Sequence, residues 1–513
     1  MKNIIKIFSV AVLLSVLGGC TKNFEDYNTD PKAIRKDDPS IIIPSMFDPL
    51  MYIQQNNSQF VDMMVGTLGG YFADGSRWGN QNYDTFNVSD DWNRHTYDKA
   101  FTAIYSNYFK VEKITKGEGH YYAIAKLLKA AAMIRVTDCY GPMPYSKVRD
   151  GEMRVEYDSH EDVYKNIIAD LSDAARVLKA YVAEAPNSKP LALSDPVFAG
   201  DYGKWVKFAN SLIMRVAMRT GDRDAFVDAY NAGEYIKTNS DNAMMDPKTQ
   251  GNPYSIAQAW NGGELFVAAS IIDYLTGYND PRIEAYALKC TKDQHADKYI
   301  GLRRGYEKMP TDHKLYSRPN VVASTKIPML VAAEVQFMIA EAVLNNWISG
   351  DAKTFYETGI NLSFEQWGVP VGSYVTNADL IPADHNDPLD ANSGYDRKTT
   401  VKIAWDAETS EAKHREQIAT QRWIAGYPNG LEAWAEWRRT GYPELCPSVK
   451  SLNPNVIRDD QQSRAYGMRR LRYSFEEASL NTENYNKGVA LLKGADNEAT
   501  NLFWAKKSLP NYN

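Results

Sequence analysis

Apolar residues recur at helical spacing in four separate pairs of segments along the chain, and the stretches between those pairs lose the period. From Thr96 to Lys116, and again from Tyr121 to Asp138, the period is that of an amphipathic helix. Ile124, Leu127, Leu128, Ala131 and Ile134 fall on one face, and Gly141-Pro142 stops the run. Ser159, with Asp162 three residues on, caps a third segment that reaches Tyr181, and Gly200 to Thr220 supplies its partner, closed by Gly221. Pro328 suits the first position of a fifth helix, with Leu330, Phe337 and Leu344 at intervals of seven, and Asp351 to Trp367 follows it. The last pair runs from Ala412 to Tyr427 and from Leu431 to Thr440 around the turn Pro428-Asn429-Gly430.

These segments predict a mainly α protein with helix pairs at about 96–138, 159–220, 328–367 and 412–440. Paired helices of this length resemble tetratricopeptide units stacked into an α-solenoid, whose neighbouring faces share one core. Large irregular insertions at about 69–94, 222–327 and 368–409 interrupt the scaffold.

The first 49 residues read differently. Lys2 and Lys6 precede an uncharged apolar run, Ile7 to Leu17, too short to span a bilayer and laid out as a secretory signal, so residues 1–19 are expected to be a signal peptide. Leu17-Gly18-Gly19-Cys20 resembles the lipobox of bacterial lipoproteins, which would leave Cys20 as the lipidated N-terminus. Residues 20–49, broken by Pro31, Pro39, Pro44 and Pro49, are expected to be an extended tether. No Asp directly follows Cys20, and in resembling lipoproteins that favours the outer membrane.

A net charge of −6 over 513 residues without a Lys/Arg block argues against a nucleic-acid partner. Cys139, Cys290 and Cys446 are too few and too far apart for a disulfide framework or a zinc ribbon, and at least one thiol is expected to be free and buried. The 33 Tyr and 11 Trp stand out more, because these rings offer an apolar face with a polar edge.

Four motifs in order resemble the SusD/RagB family of nutrient-binding outer-membrane lipoproteins. They are "YNTDP" (Tyr27 to Pro31), "KLLKAAAMIRVTDCYGPMPYS" (Lys126 to Ser146), "IPMLVAAEVQFMIAEAVLNNW" (Ile327 to Trp347) and "IATQRWIAGYPNGLEAWAEWRRTGYPEL" (Ile418 to Leu445). The last resembles a subgroup with a Trp-x-Glu-Trp-Arg-Arg-Thr-Gly-Tyr-Pro segment. The resemblance implies a single SusD-like domain over residues 50–513, a binding rather than an enzymatic role, and a TonB-dependent SusC-like transporter as partner. It does not carry over the identity of the ligand, which is expected to be an oligosaccharide or, in part of the family, a peptide.

Catalytic chemistry finds little support. Glu334 and Glu341 share a helix face about 10.5 Å apart along the axis, long even for an inverting glycosidase pair, and are expected to pair with basic residues such as Arg438 or Arg439. Asp90-Asp91 and Glu476-Glu477 read as solvated or capping residues. The histidines are scattered, the Asp387–Asp396 loop departs from a calcium-binding pattern, and no metal or cofactor is expected. A sugar ring packs its C–H face on an aromatic side chain while amides and charges take its hydroxyls. Candidate ligand residues are therefore Arg77, Trp78, Asn80, Tyr83 and Trp92 in the first insertion and Tyr254, Trp260 and Asn261 in the second. The competing expectation for each is that it plugs the scaffold's own core. Trp423, Trp434 and Trp437, on patterned helices, are expected to be structural. The other functional classes weighed are a surface glycoside hydrolase and a purely structural lipoprotein.

Overall fold

The computed structural model describes residues 38–51, 65–75, 81–248, 251–259, 265–305, 315–388, 391–456, 467–510 and 512. Eight principal helices correspond to the four predicted pairs: α1 (Ser106–Thr115), α2 (Gly119–Tyr140), α3 (His160–Glu184), α4 (Tyr202–Thr220), α5 (Ala332–Leu344), α6 (Ala352–Trp367), α7 (Glu411–Ala425) and α8 (Gly430–Thr440). Their caps follow the sequence signals. Ser159 Oγ accepts the amide of Asp162 and donates to its carboxylate, and Asp351 accepts from Lys353 and Thr354. Gly221 and Gly441 end α4 and α8 at φ +79° and +81°, a left-handed conformation that glycine adopts without a Cβ clash.

Helices α2, α3 and α4 pack in succession, as do α5 and α6, where a Cβ on Gly359 would meet the Phe337 ring at 2.8 Å. This stacking makes α2 and α4 almost wholly buried while α3 keeps a polar outer face. The fourth pair is looser than a hairpin: α7 packs chiefly on α5, and α8 on the 3₁₀ turn Val65–Gly69. The architecture is the mainly helical, tetratricopeptide-like scaffold expected, carrying three two-stranded ladders among the described residues.

Several boundaries are corrected. Pro328 does not open a helix: Ile327–Leu330 is a fully buried strand paired antiparallel with Ala243–Met245, and α5 starts at Ala332. A bulge between Ala243 and Met244 lies beside the proline, which has no N–H for a regular ladder. A helix begins at Asp90, capped by Ser89, rather than at Thr96, and joins α1 through a π-helical turn, Phe101–Tyr105. The tether ends earlier than expected, because Pro39–Ile42, Ile43–Met46 and Asp48–Met51 are short helical turns that bury Ile43, Met46, Phe47 and Leu50 in the main core. Pro39 and Pro44 sit in first turns, where a missing N–H costs nothing. The second insertion contains Arg223–Asn231 and Ala269–Gly277, and the C-terminal helices Phe475–Leu480 and Thr482–Leu491 have no counterpart in the predicted elements. The signal peptide and Cys20 lie outside the described residues.

Candidate functional site

The first insertion is nailed to the helical scaffold by close backbone contact. A Cβ on Gly430 would stand 2.4 Å from Gly66 Cα, so the absence of side chains lets the Val65–Gly69 turn lie on the start of α8. Trp423 Nε1 donates to Gly69 O at 2.7 Å, the Tyr71 hydroxyl donates to Trp423 O, and the two rings stack at 5.4 Å. The strand Phe72–Asp74 that follows pairs antiparallel with Leu265–Val267, with Asp74 opposite Leu265. Residues on the described sides of 76–80 and 260–264 therefore meet at one end of one ladder.

More of the chain converges on the same floor. The Asp74 amide donates to Asp84 Oδ2 at 2.8 Å, and Asn82 Oδ1 accepts from both the amide and the hydroxyl of Thr85, closing the turn. The strap 446–456 then binds that turn through Leu452 N to Thr85 O and Asn453 Nδ2 to Phe86 O, at 2.8 and 2.9 Å. Gly305 threads between them at φ +70°, where a Cβ would overlap Ser448 Oγ at 1.9 Å. Arg304 donates from beneath to the carbonyls of Thr67 and Cys446, and Arg303 to those of Pro447, Ser393 and Gly394. Burial, together with the charge of Asp74, pushes the Asp84 carboxyl up to about 7. Asp74, Asp84 and Arg304 were not singled out in the sequence, although the Arg303-Arg304-Gly305 triplet marks a strand of chain that something must approach closely.

The structure sorts the sequence candidates. Arg77, Trp78, Asn80, Trp260 and Asn261 lie outside the described residues, on the two segments whose neighbours meet at the ladder. Tyr83 and Tyr254 are corrections: each is 1% exposed and offers no free ring face. Tyr254 packs on Phe72 at 5.2 Å and its hydroxyl donates to Pro428 O, while that of Tyr83 reaches Trp92 O at 3.5 Å, and burial raises both phenols. The Tyr254 ring thus backs the ladder through Phe72. Trp92 is half-buried against the core, its amide donating to the Ser89 cap.

The carboxylates weighed for hydrolysis are held by arginines. Glu334 takes Nε and Nη2 of Arg215 at 2.8 and 2.6 Å and Nη2 of Arg422 at 2.9 Å, and Arg439 grips both oxygens of Glu341 at 2.7 Å. Of the expected partners, Arg439 pairs as anticipated, whereas Arg438 lies 3.5 Å over the Trp434 ring and donates to Arg469 O. Glu432 and Glu436 join the same network, and the guanidinium groups around them hold both carboxyls below the usual range against the cost of burial. Asp90, Asp91, Glu476 and Glu477 occupy first turns of helices, as capping residues do. Trp423, Trp434 and Trp437 are core residues, and Cys139, Cys290 and Cys446 are free and buried. Among the described residues no cluster of His, Cys, Asp or Glu could hold a metal ion.

A stack of paired helices with a braced two-stranded ladder beside it defines the class as a tetratricopeptide-like helical scaffold. The family model of SusD-like proteins, described as Susd and RagB outer membrane lipoprotein, matches residues 22–505, and the chain belongs to that family. Among solved structures it is similar to a SusD homolog from Bacteroides uniformis (36% identity, 92% of this chain and 100% of that one, TM-score 0.85). A SusD-like protein from Bacteroides thetaiotaomicron matches at 31% identity over 92% and 99% of the two chains, TM-score 0.86. A chitin-binding SusD homolog from Flavobacterium johnsoniae matches at 29% identity over 92% and 99%, TM-score 0.85. No curated protein matches the chain. Among the described residues no helix is long and apolar enough to cross a membrane.

Proposed function

We propose that this protein is a surface lipoprotein, anchored through Cys20, that captures an oligosaccharide on its loop face and passes it to a TonB-dependent SusC-like transporter. The observation that carries the reading is the pairing of Asp74 with Leu265, which seats the neighbours of the Trp78 and Trp260 segments side by side on a rigid floor. In sequence, the two segments carry rings and amides of the kind that stack on and edge a sugar ring. The chitin-binding relative adds support for a glycan as ligand class. Capture without cleavage fits Glu334 and Glu341, whose carboxylate oxygens are taken up by arginine side chains.

The test is calorimetric titration of the purified protein with a panel of oligosaccharides, alongside Trp78→Ala and Trp260→Ala. Loss of one stacking ring is expected to weaken capture by about 1–3 kcal/mol. Unchanged affinity in both variants would misplace the site, and shortening of the glycans during titration would favour a hydrolase instead. For the anchor, Cys20→Ser is expected to release the protein from the membrane fraction.

A further inference from the structure

A second cleft lies away from the ladder, between the ends of α4, α5 and α8 and the C-terminal segment. It encloses ≈ 450 Å³, within the usual range of small-molecule sites, and its wall includes Trp347, Tyr442 and Trp504 beside Arg415, Arg439 and Lys506. Only one of its lining residues is acidic, Glu341, and Arg439 takes both of that carboxylate's oxygens. Arg415 is committed too, to Glu411 at 2.7 Å and to Asn345 Oδ1 at 2.7 Å. Lys506 is different. Its amide donates to Arg438 O at 2.8 Å, which fixes the root of the side chain, but its ammonium has no hydrogen bond or ion pair among the described residues. The group it lies over is the Tyr442 ring, 5.7 Å away. Lys506 is exposed at the cleft, and partial desolvation, with the like charges of Arg439 and Arg415, pulls its pKa down despite Glu341.

The geometry points to a second binding site, for a carboxylate-bearing sugar whose acid group meets Lys506 and whose ring lies against the aromatic wall. A single uncommitted ammonium suits a monoanion, whereas a phosphate would call on the arginine forks, which are already occupied. The choice of a sugar rests on the glycan reading above, and the acid distinguishes this site from the loop face.

Tetragalacturonate and the neutral cellotetraose, titrated calorimetrically at low salt into the purified protein, test the inference with Lys506→Met, Lys506→Glu and Trp78→Ala. Lys506→Met is expected to weaken tetragalacturonate binding about tenfold, the lower end of what a hydrogen bond to a charged group is worth, with a larger loss for Lys506→Glu and weakening by added salt. Trp78→Ala should leave the acidic ligand's affinity unchanged. The inference is overturned if the unmodified protein does not bind tetragalacturonate, if Lys506→Met binds it as the unmodified protein does, or if Trp78→Ala alone abolishes binding. Cellotetraose capture lost in Trp78→Ala in those same experiments would leave the loop-face reading standing while the cleft fails.

Discussion

Replacing Arg422 with methionine keeps most of the side chain's length and removes its charge from the centre of the scaffold. The guanidinium donates to Glu436 at 2.7 Å and Glu334 at 2.9 Å and lies 3.3 Å from Glu432, with its side chain 6% exposed. In the network, Arg215, Arg219, Arg422 and Arg439 face Asp138, Glu334, Glu341, Glu432 and Glu436, so the substitution leaves three cations against five anions. Breaking a buried pair by removing one partner costs about 3–5 kcal/mol, because the remaining charge stays desolvated. The other arginines still reach Glu334, Glu432 and Glu436, which places the expectation at the lower end, about 3 kcal/mol. Unfolding entropy of about 2.1 cal/mol/K per residue amounts to roughly 1 kcal/mol/K for a chain of this size, so the midpoint should fall by about 3 °C. Scanning calorimetry at pH 7 reads it. As the control, Lys487→Met removes pairs with Glu483 and Glu156 on the open surface, where solvent screens them, and should leave the midpoint unchanged. If Arg422→Met were as mild as that control, the network would be solvated and the argument for it as a buried clasp would fail.

Three further outcomes follow from the same geometry. The folded state keeps Asp84 protonated up to about pH 7, whereas the unfolded carboxyl ionises near 3.8. Its contribution is therefore complete below that lower value and is lost as pH rises through 7; relative to wild type, Asp84→Asn should gain up to about 4 kcal/mol between pH 4 and 7.5, at about 1.4 kcal/mol per pH unit, and a flat difference in urea midpoints would refute this. Glu432 and Glu436 act in the opposite sense: held below the ordinary glutamate range by the surrounding arginines, they stabilise the fold above it, and the stability lost on acidifying from pH 5 to 3 should be smaller in Glu436→Gln. Gly430→Ala, which drives a methyl into Gly66, should cost about 1–3 kcal/mol and also weaken glycan capture, since that contact positions the Phe72–Asp74 strand; stability and affinity measured on one preparation check both.

Four helix pairs, most of their caps and the structural role of the three helix tryptophans were legible in the chain, because apolar spacing and capping chemistry are local properties. Pro328 misled for the same reason: locally it suits a helix start, and only the Ala243–Met245 strand makes Ile327–Leu330 extended. The prolines at 39 and 44 read as breakers, yet each opens a turn whose apolar residues find a core made by distant helices. For the candidate site, composition separated the ring-bearing loops from the core helices but could not tell Tyr83 and Tyr254 from exposed rings, since burial depends on what the rest of the chain lays over them.

What the sequence by itself determined is the series of amphipathic helices, the uncharged apolar run Ile7 to Leu17, and the ring-rich segments, all set by neighbours within a few turns of chain. Tertiary structure alone decided that Asp74 faces Leu265, that Glu334 on α5 meets Arg215 on α4 and Arg422 on α7, and that Lys506 lies over the Tyr442 ring. Each of those joins residues tens to hundreds of positions apart. Charge and ladder partners are chosen by proximity in space, for which helical period carries no information.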